Sequence, residues 1–567
     1  MGFALAAAAL AALVWLTARS SRRTRERLLE EFRLGWGQPR DRVRKMDVIA
    51  DYHRSRAGAE AASRSVDDRT WDDLNMDAVF AALDRTESTL GQQVLYHRLR
   101  TAPVGAHLDA FAALTERMAS DVAARETAQV ALARLRSPAG YDLWWIAQPD
   151  ALESRRWHII FPLVGGAMLV PVLLAFVWPG ALFILLVGAV FNLCIRVATA
   201  TRIGALVGSF RQIGPLLAAA DAMRSMPAEG FAPIVGSLGD DLKHMARLGR
   251  IAGWVGRDPI ALGELAASFF EYLNLLFLLD ANALFFGARE LRTHGAALLR
   301  VIAAVGEVDA ALSVASVRQG TTFWTRPTFS PPGSPTDLAG LRHPLVEDAV
   351  PNSIVLGPPY GVLITGSNMS GKSTFVRTVG VNVILAQTIH TCFASAYEAP
   401  VLRVQSCIGR SDDLLGGKSY YLVEVESVLS LVHASQDSTP HLFLLDELFR
   451  GTNAVERIAA AEGVLSELVG HRPGAKPHLV ITATHDGELV DLLRETYEPF
   501  HLTDSLAAAG LVFEYRLKRG PATTRNAIAL LRLNGAPTSV VNRALQRAAQ
   551  LDEQRMRARE HGAKLDG

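Results

Sequence analysis

Cysteine and charge are both scarce in this sequence. Its 567 residues include three cysteines, Cys194, Cys392 and Cys407, and no CxxC pair. This excludes a disulfide framework, gives no sign of structural zinc and fits a reducing compartment. Charged residues make up 20%, and 58 Lys plus Arg against 57 Asp plus Glu leave a formal net charge of +1. That balance disfavours a polybasic nucleic-acid binder or an acidic tail protein. The 49% share of hydrophobic residues excludes a mostly disordered chain.

Charge is absent from the start of the chain. Residues 3–17 are apolar and uncharged, and a cluster of arginines follows them: Arg19, Arg22, Arg23, Arg25 and Arg27. A cleaved signal peptide would carry its positive charges before the apolar run. We therefore predict a membrane anchor over residues 1–19 with the following chain in the cytoplasm. Removal of the segment as a signal peptide is the alternative.

A second uncharged region lies further along the chain. Residues 159–178 and 181–195 carry no charge, the turn Pro179-Gly180 separates them, and arginines flank both sides. This pattern predicts a transmembrane hairpin over residues 157–196 with both ends in the cytoplasm. A buried soluble hairpin is the alternative. Together the two segments predict a multi-pass protein of the inner membrane, with the membrane as a partner and the rest of the chain in the cytoplasm.

The remaining chain changes in character near residue 326. Residues 20–156 and 197–325 read as two parts of a helical core or lever domain, rich in Ala, Leu and Arg. After a stretch rich in Pro, Gly, Ser and Thr, short β-rich runs alternate with helices, which is typical of a mainly parallel sheet. We predict an α/β domain over 326–535 and a charged helix and tail over 536–567. The fold class is therefore α plus α/β, with transmembrane helices in the helical part.

A phosphate-binding motif begins the α/β region. A short apolar strand, residues 361–365, runs into GSNMSGKST and then into a helical pattern, as in GxxxxGK[ST] loops. Glycines let the backbone wrap around phosphate, and the loop amides and helix N-terminus supply positive dipoles. Lys372 is expected to reach the β- and γ-phosphates, and Ser373 to bind magnesium. We predict ATP and Mg²⁺ as cofactors, bound by Gly366, Ser367, Asn368, Met369, Ser370, Gly371, Lys372, Ser373 and Thr374.

Two later strands end in polar side chains that suit the same chemistry. The apolar run 441–445 leads into Asp446 and Glu447. Asp446 is expected to hold the magnesium, and Glu447 to orient or polarise the attacking water. The strand 479–484 ends in His485, which can donate to the γ-phosphate or to that water. A surface-loop role is the alternative for this histidine. The catalytic prediction comprises Glu447, His485 and Lys372.

Four segments resemble the MutS family of ABC-type ATPases. They are TGSNMSGKSTFVRT (365–378), GRSDDLLGGKSYYLVEVESV (409–428), LFLLDELFRGTNAVE (442–456) and TATHDGEL (482–489). Residues 341–356 resemble the family's lead-in strand and loop, and weaker similarity extends to residues 81–103 and 306–317. The resemblance implies an ABC-type P-loop ATPase domain, a homodimer, and dimerisation helices over 522–550.

The resemblance also assigns further residues. Ser419 is implied as a catalytic signature serine that reaches the nucleotide of a partner subunit, with a helix N-cap as its structural alternative. The segment near Ala349 and Val350 corresponds to the place where relatives stack an aromatic ring on adenine, so Val350 joins the nucleotide-binding residues. A loop that passes signals across the dimer is implied for Arg450, Gly451, Thr452 and Asn453.

The chain departs from the family on its N-terminal side. The membrane anchor leaves no room for a mismatch-reading domain, and the Phe-x-Glu at residues 269–271 lies in an apolar helix, as a core element would. We therefore expect a membrane-anchored ATPase that hydrolyses MgATP at a dimer-composite site and moves helical levers. Double-stranded DNA is the implied partner and DNA mismatch repair the implied role. DNA tethering or remodelling without mismatch preference, and the motor of a transporter, are the alternatives.

Overall fold

The chain divides into two compact units. The computed structural model describes residues 19, 22–56, 65–102, 105–148, 151, 159–226, 232–253, 264–367, 370–408, 420–470, 477–507, 510–522, 528, 531–532 and 534–562. One unit takes in Met1–Ser65, Asp77–Thr322 and Gln387–His390, and the other Val66–Met76, Phe323–Ala386 and Thr391–Gly567. The predicted mixture of a helical part and an α/β part is confirmed.

Helices dominate the described chain before residue 321. They are α1 (residues 22–35), α2 (Met46–Arg56), α3 (Asp68–Asp73), α4 (Met76–Leu83), α5 (Thr89–Arg100), α6 (Ala106–Ser120), α7 (Val122–Leu132), α8 (Leu143–Ile146), α9 (Ile160–Ala167), α10 (Leu169–Leu174), α11 (Ala181–Arg211), α12 (Ile213–Arg224), α13 (Ala232–Val235), α14 (Leu238–Ala252), α15 (Glu264–Phe277) and α16 (Leu279–Gly320). The longest, α16, packs against α5, α6 and α14. Its buried residues include Leu298, Val301, Ile302 and Val305, and residues 308–318 are buried without a break, so this part of the helix is enclosed on all sides.

A buried carboxylate joins α16 to the start of α5. Asp309 is fully buried and accepts hydrogen bonds from Glu87 N at 2.7 Å, Ser88 N at 2.8 Å and Ser88 Oγ at 2.5 Å. Burial raises its pKa to about 6. Ser88 Oγ also accepts from Gly91 N and so caps α5. A Cβ atom at Gly91 would lie 2.1 Å from Asp309 Oδ2, so only glycine permits this close approach.

The second unit contains two sheets. Its strands are β1 (Thr328–Phe329), β2 (Thr336–Leu341), β3 (Asn352–Leu356), β4 (Gly361–Thr365), β5 (Ala396–Ala399), β6 (Arg403–Cys407), β7 (His441–Asp446), β8 (Leu479–Ala483), β9 (Tyr497–Ala507) and β10 (Gly510–Arg519). The described helices after residue 321 are α17 (Lys372–Ile389), α18 (Tyr420–Ala434), α19 (Ala454–Val469), α20 (Glu488–Leu492) and α21 (Thr538–Gly562). The smaller sheet has the order β1-β5-β2-β3, and the larger has the order β10-β9-β4-β8-β7-β6.

The larger sheet is parallel except for its edge strand β10. Strands β4 and β8 are buried along their whole length, and β7 is buried up to its last residue, which explains their unbroken apolar sequences. Ile364 of β4 and Asp446 of β7 both pair with Ala483 of β8. The carboxyl ends of these three strands therefore lie side by side at one edge of the sheet.

The short helix α3 covers the far edge strand, β6. Ser406 N donates to Thr70 Oγ1 at 3.0 Å, and Ile408 N donates to Asp73 Oδ2 at 2.8 Å. The Ser406 hydroxyl also donates to Asp73. An exposed edge strand would leave backbone donors unpaired, and side chains of α3 satisfy them here.

The structure corrects the prediction for residues 157–196. None of the helices in the described parts of the chain is long and apolar enough to cross a membrane. The first half of the proposed hairpin is two short helices, α9 and α10, where a span needs about 20 residues. In the second half, two polar residues contact α15: the Asn192 amide donates to Leu276 O, and Arg196 forms an ion pair with Glu271. The predicted transmembrane hairpin and multi-pass inner-membrane location are therefore wrong, and the membrane loses its support as a partner.

The other membrane prediction concerns the anchor at residues 1–19. Residues 1–18 lie outside the described part of the chain.

Replacing Asp309 by Ala is expected to destabilise the helical unit by about 2–4 kcal/mol, because three donors at Glu87 and Ser88 lose their buried acceptor. Urea unfolding followed by circular dichroism measures the change. Asp221→Ala is the control, because it removes a carboxylate whose described partner is Arg224 on an exposed helix face, and it is expected to shift stability little. Equal stability of the two variants would contradict the role given to Asp309.

Candidate nucleotide-binding site

The phosphate loop connects β4 to α17. Gly366 and Gly371 have φ angles of +145° and +96°, in a region that favours glycine. Lys372 begins α17 and is only 5% exposed. Its Nζ atom donates to the carbonyl oxygens of Gly366 at 3.0 Å and Ser367 at 2.9 Å. The loop therefore curls around a lysine at the positive end of a largely buried helix, which is the geometry of an anion site.

Oxygen atoms suited to a hard cation lie beside this loop. Ser373 Oγ donates to Asp446 Oδ2 at 2.5 Å. Asp446 Oδ1 and Ser370 Oγ are buried, and neither atom has a hydrogen-bond partner in the described parts of the chain. Hydroxyl and carboxylate oxygens are the ligands that Mg²⁺ prefers. Ser373 and Asp446 thus fit the metal that the sequence predicts, and the unpaired oxygen leaves a coordination position available.

Glu447 stands at the tip of β7 and faces two basic groups. Its backbone N–H donates to Ala483 O at 2.8 Å, which holds it against β8. Its Oε1 atom lies 2.6 Å from His485 Nε2, and its Oε2 atom contacts the Arg450 guanidinium. His485 Nε2 is also 3.3 Å from Lys372 Nζ. The structure therefore brings together Lys372, Glu447 and His485, although they follow three different strands, β4, β7 and β8.

The protonation state of His485 follows from its position. Burial first, and the positive charge of Lys372 second, lower its pKa below the ordinary value. The neutral imidazole is therefore favoured at pH 7. A neutral histidine next to a carboxylate can donate one N–H without adding a positive charge to the site.

Side chains of the loop after Glu447 make local hydrogen bonds and cap a helix. Arg450 contacts Glu447, Thr452 Oγ1 donates to Glu456 Oε2 at 2.8 Å, and Asn453 Oδ1 accepts from Glu456 N at 3.0 Å. Asn453 is thus the N-cap of α19. A signalling role for this loop, including Gly451, stays a prediction.

Several predicted residues are not part of the described cluster. Asn368, Met369 and Ser419 lie outside the described residues. Thr374 is exposed on the first turn of α17. Their predicted contributions stay predictions.

Tyr515, which no sequence motif marks, lies against the phosphate loop. A Cβ atom on Gly371 would come within 3.1 Å of the Tyr515 ring. This ring is 45% exposed and stacks on Phe513, with centroids 5.9 Å apart. The Asn352 amide donates to the backbone carbonyl oxygens of both Tyr515 and Val350, so the predicted base-binding segment lies near the backbone of Tyr515. About 145 residues separate β4 from β10, so no local sequence pattern predicts that Tyr515 lies near the phosphate loop. The proximity results from the pairing of strands at the edge of the sheet.

Known proteins resemble part of this chain. The family model described as MutS domain V matches residues 362–552. A DNA mismatch repair protein MutS 2 from Halobacterium salinarum is 37% identical over 273 residues, which are 46% of this chain and 30% of that protein. These matches support a relationship of this chain to the MutS family. A DNA mismatch repair protein MutS from Thermus aquaticus is 36% identical over 280 residues, covering 48% of this chain and 33% of the MutS protein.

The match to MutS proteins covers part of this chain and part of each relative. The chain spans about a third of the length of the curated relatives it matches. The domain V match contains Lys372, Asp446, Glu447, His485 and Tyr515. This match begins at residue 362, beyond the long helix α16, so it bears on the site and not on the helices before residue 321.

We expect Tyr515→Ala to weaken MgATP binding about tenfold, because stacking of a base on an aromatic ring contributes about 1–3 kcal/mol. Tyr515→Phe keeps the ring and is expected to bind as the wild type does. Calorimetric titration with MgATP measures the change. Inorganic triphosphate, which has no base, is the control ligand and should bind equally to all three proteins. Unchanged MgATP affinity in Tyr515→Ala would show that the ring does not contact the base.

Proposed function

We propose that this chain is a MutS-type ATPase that binds and hydrolyses MgATP. The observation that supports this most strongly is the convergence of Lys372, Asp446, Glu447 and His485 at adjoining carboxyl ends of one parallel sheet. Each motif is short and could occur elsewhere, whereas their meeting within hydrogen-bond distances supplies the groups that phosphoryl transfer to water requires. The match to MutS domain V supports the same activity.

The nucleotide would be held by the phosphate loop. The amides of the loop and the N-terminus of α17 offer positive dipoles, and Lys372 adds a charge that can move from loop carbonyls to phosphate oxygens. Ser373 and Asp446 would hold Mg²⁺, with Asp446 Oδ1 available for it. The metal, when bound, neutralises charge on the β- and γ-phosphates. Tyr515 and Val350 would bound the base.

Glu447 and His485 would act on the attacking water. The carboxylate of Glu447 can accept a proton from water or orient it, and His485 can donate its N–H to a phosphate oxygen. Their mutual distance of 2.6 Å keeps both groups at one point of the site. The Arg450 guanidinium also contacts the Glu447 carboxylate.

A homodimer would complete the site. This part of the proposal depends on the sequence resemblance, in which Ser419 reaches the nucleotide bound by the partner subunit. Binding would then close the dimer and hydrolysis would open it, moving the helical unit as a lever. The loop containing Arg450 and Gly451 would lie between the two nucleotides and pass signals.

Double-stranded DNA is the proposed partner, and DNA mismatch repair the proposed process. Support comes from the names of the relatives, which are DNA mismatch repair proteins. The second candidate is DNA tethering or remodelling without mismatch preference. The domain V match contains the nucleotide site, which this role would use as mismatch repair would.

Two substitutions test the ATPase proposal. Lys372→Ala is expected to abolish measurable MgATP binding, because it removes the charge inside the phosphate loop. Glu447→Gln is expected to keep binding and to lower kcat by about a hundredfold or more, since the amide is not a base. Calorimetry and phosphate release measure the two effects. Wild-type hydrolysis by Glu447→Gln would contradict the role of this carboxylate, and wild-type binding by Lys372→Ala would contradict the site itself.

The DNA proposal predicts that duplex DNA raises the ATPase rate. The rate is measured at fixed salt with a perfect duplex and with the same duplex carrying one mismatch, because phosphate contacts are strongly salt-dependent. A larger response to the mismatch is the result expected for mismatch repair. An equal response would favour tethering or remodelling, and no response to either duplex would contradict both DNA proposals. The Glu447→Gln protein is the background control.

A further inference from the structure

The helix α18 touches the loop that follows Glu447 through a specific hydrogen bond. Glu424 lies in the second turn of α18, and its Oε1 atom accepts from Phe449 N at 2.5 Å. Phe449 is two residues beyond Glu447.

The loop needs such a partner because its backbone is strained. Glu447 and Phe449 have φ angles of +53° and +57°, in the left-handed region that non-glycine residues rarely adopt. Such residues persist only where surrounding contacts fix them. The N–H of Glu447 is fixed by Ala483 O, and the N–H of Phe449 is fixed by Glu424. The two bonds hold the residues on either side of Leu448.

Packing reinforces the same connection. Leu448 and Phe449 are 6% exposed and share an apolar core with Val425 and Val428 of α18. At the next turn of the loop, a Cβ atom on Gly451 would lie 3.3 Å from the Tyr421 ring. Side chains from the first turns of α18 therefore pack directly on the loop after Glu447.

We propose that Glu424 is a positioning residue for hydrolysis: it holds the strained turn that aims the Glu447 carboxylate at His485. This inference rests on the proposed ATPase function and adds a regulatory consequence to it. Helix α18 begins directly after Ser419 in the sequence. A shift of the first turns of α18 is therefore passed through Glu424 to Glu447, so the alignment of this carboxylate depends on where α18 lies.

Two substitutions separate the reach of the side chain from its charge. Glu424→Gln keeps an oxygen at the same distance and loses the charge, so kcat is expected to stay within about threefold of the wild type. Glu424→Asp keeps the charge and shortens the side chain, so the bond to Phe449 N is lost and kcat is expected to fall about tenfold or more. MgATP affinity should change less than about twofold in both, because the phosphate loop is untouched.

The control is Glu426→Gln, which makes the same charge change at an exposed position of the same helix and is expected to leave kcat unchanged. Phosphate release gives kcat, calorimetry gives the affinity, and thermal melting shows whether each variant folds. Glu424→Asp keeps the negative charge, so charge cannot explain a low kcat in this variant. A higher kcat in Glu424→Gln than in Glu424→Asp therefore shows that the length of the side chain matters, because only the longer one reaches Phe449 N.

Three results would overturn the inference. They are wild-type kcat in Glu424→Asp, a kcat in Glu424→Gln as low as in Glu424→Asp, and a parallel loss of affinity and kcat, which a merely structural role would give. The failure of the proposed function looks different: a wild-type protein with no Lys372-dependent binding or hydrolysis of MgATP would overturn the ATPase proposal and the inference with it. Normal wild-type hydrolysis confines any failure to Glu424.

Discussion

The register of the parallel strands determines what this site can do. Ile364 and Asp446 share one pairing partner, Ala483, so strands that are distant in sequence end at the same level of the sheet. Each of these strands continues into a segment that carries one of the polar groups: the phosphate loop after β4, Glu447 after β7 and His485 shortly after β8. A slip of one residue in β7 would turn Asp446 to the opposite face. The unbroken burial of these strands is therefore a condition of function as well as of stability.

Contiguous motifs made the centre of the site predictable from sequence. A phosphate loop, an acidic pair and a strand-terminal histidine each carry their chemistry in neighbouring residues, and parallel topology then requires them to meet. Tyr515 and Glu424 carry no such signal. Tyr515 depends on the pairing of β10 with β9, and Glu424 depends on how α18 lies on the loop after β7. Such long-range contacts are properties of the fold and not of any sequence window.

The transmembrane prediction shows a different limit. Hydropathy counts apolar side chains, whereas a span also requires one continuous helix. Here a turn at Met168 separates α9 from α10. Helix α9 also packs closely on the chain just after α15, where Phe161 is 3% exposed and shares an apolar cluster with Leu278. A Cβ atom on Gly165 would lie 2.4 Å from Phe277 O. Glycine therefore serves close packing here, which a count of apolar residues does not register.

The left-handed turn at Glu447 follows from the need to bring two adjacent carboxylates to one site. Successive side chains of a strand point to opposite faces, so a continued β7 would direct Glu447 away from the Asp446 side. The φ angle of +53° ends the strand at this residue and directs its carboxylate towards His485 on the neighbouring strand's end. A glycine would adopt this backbone freely but carries no carboxylate. The strain must therefore be met by outside contacts, and Ala483 and Glu424 supply them from the neighbouring strand and from α18.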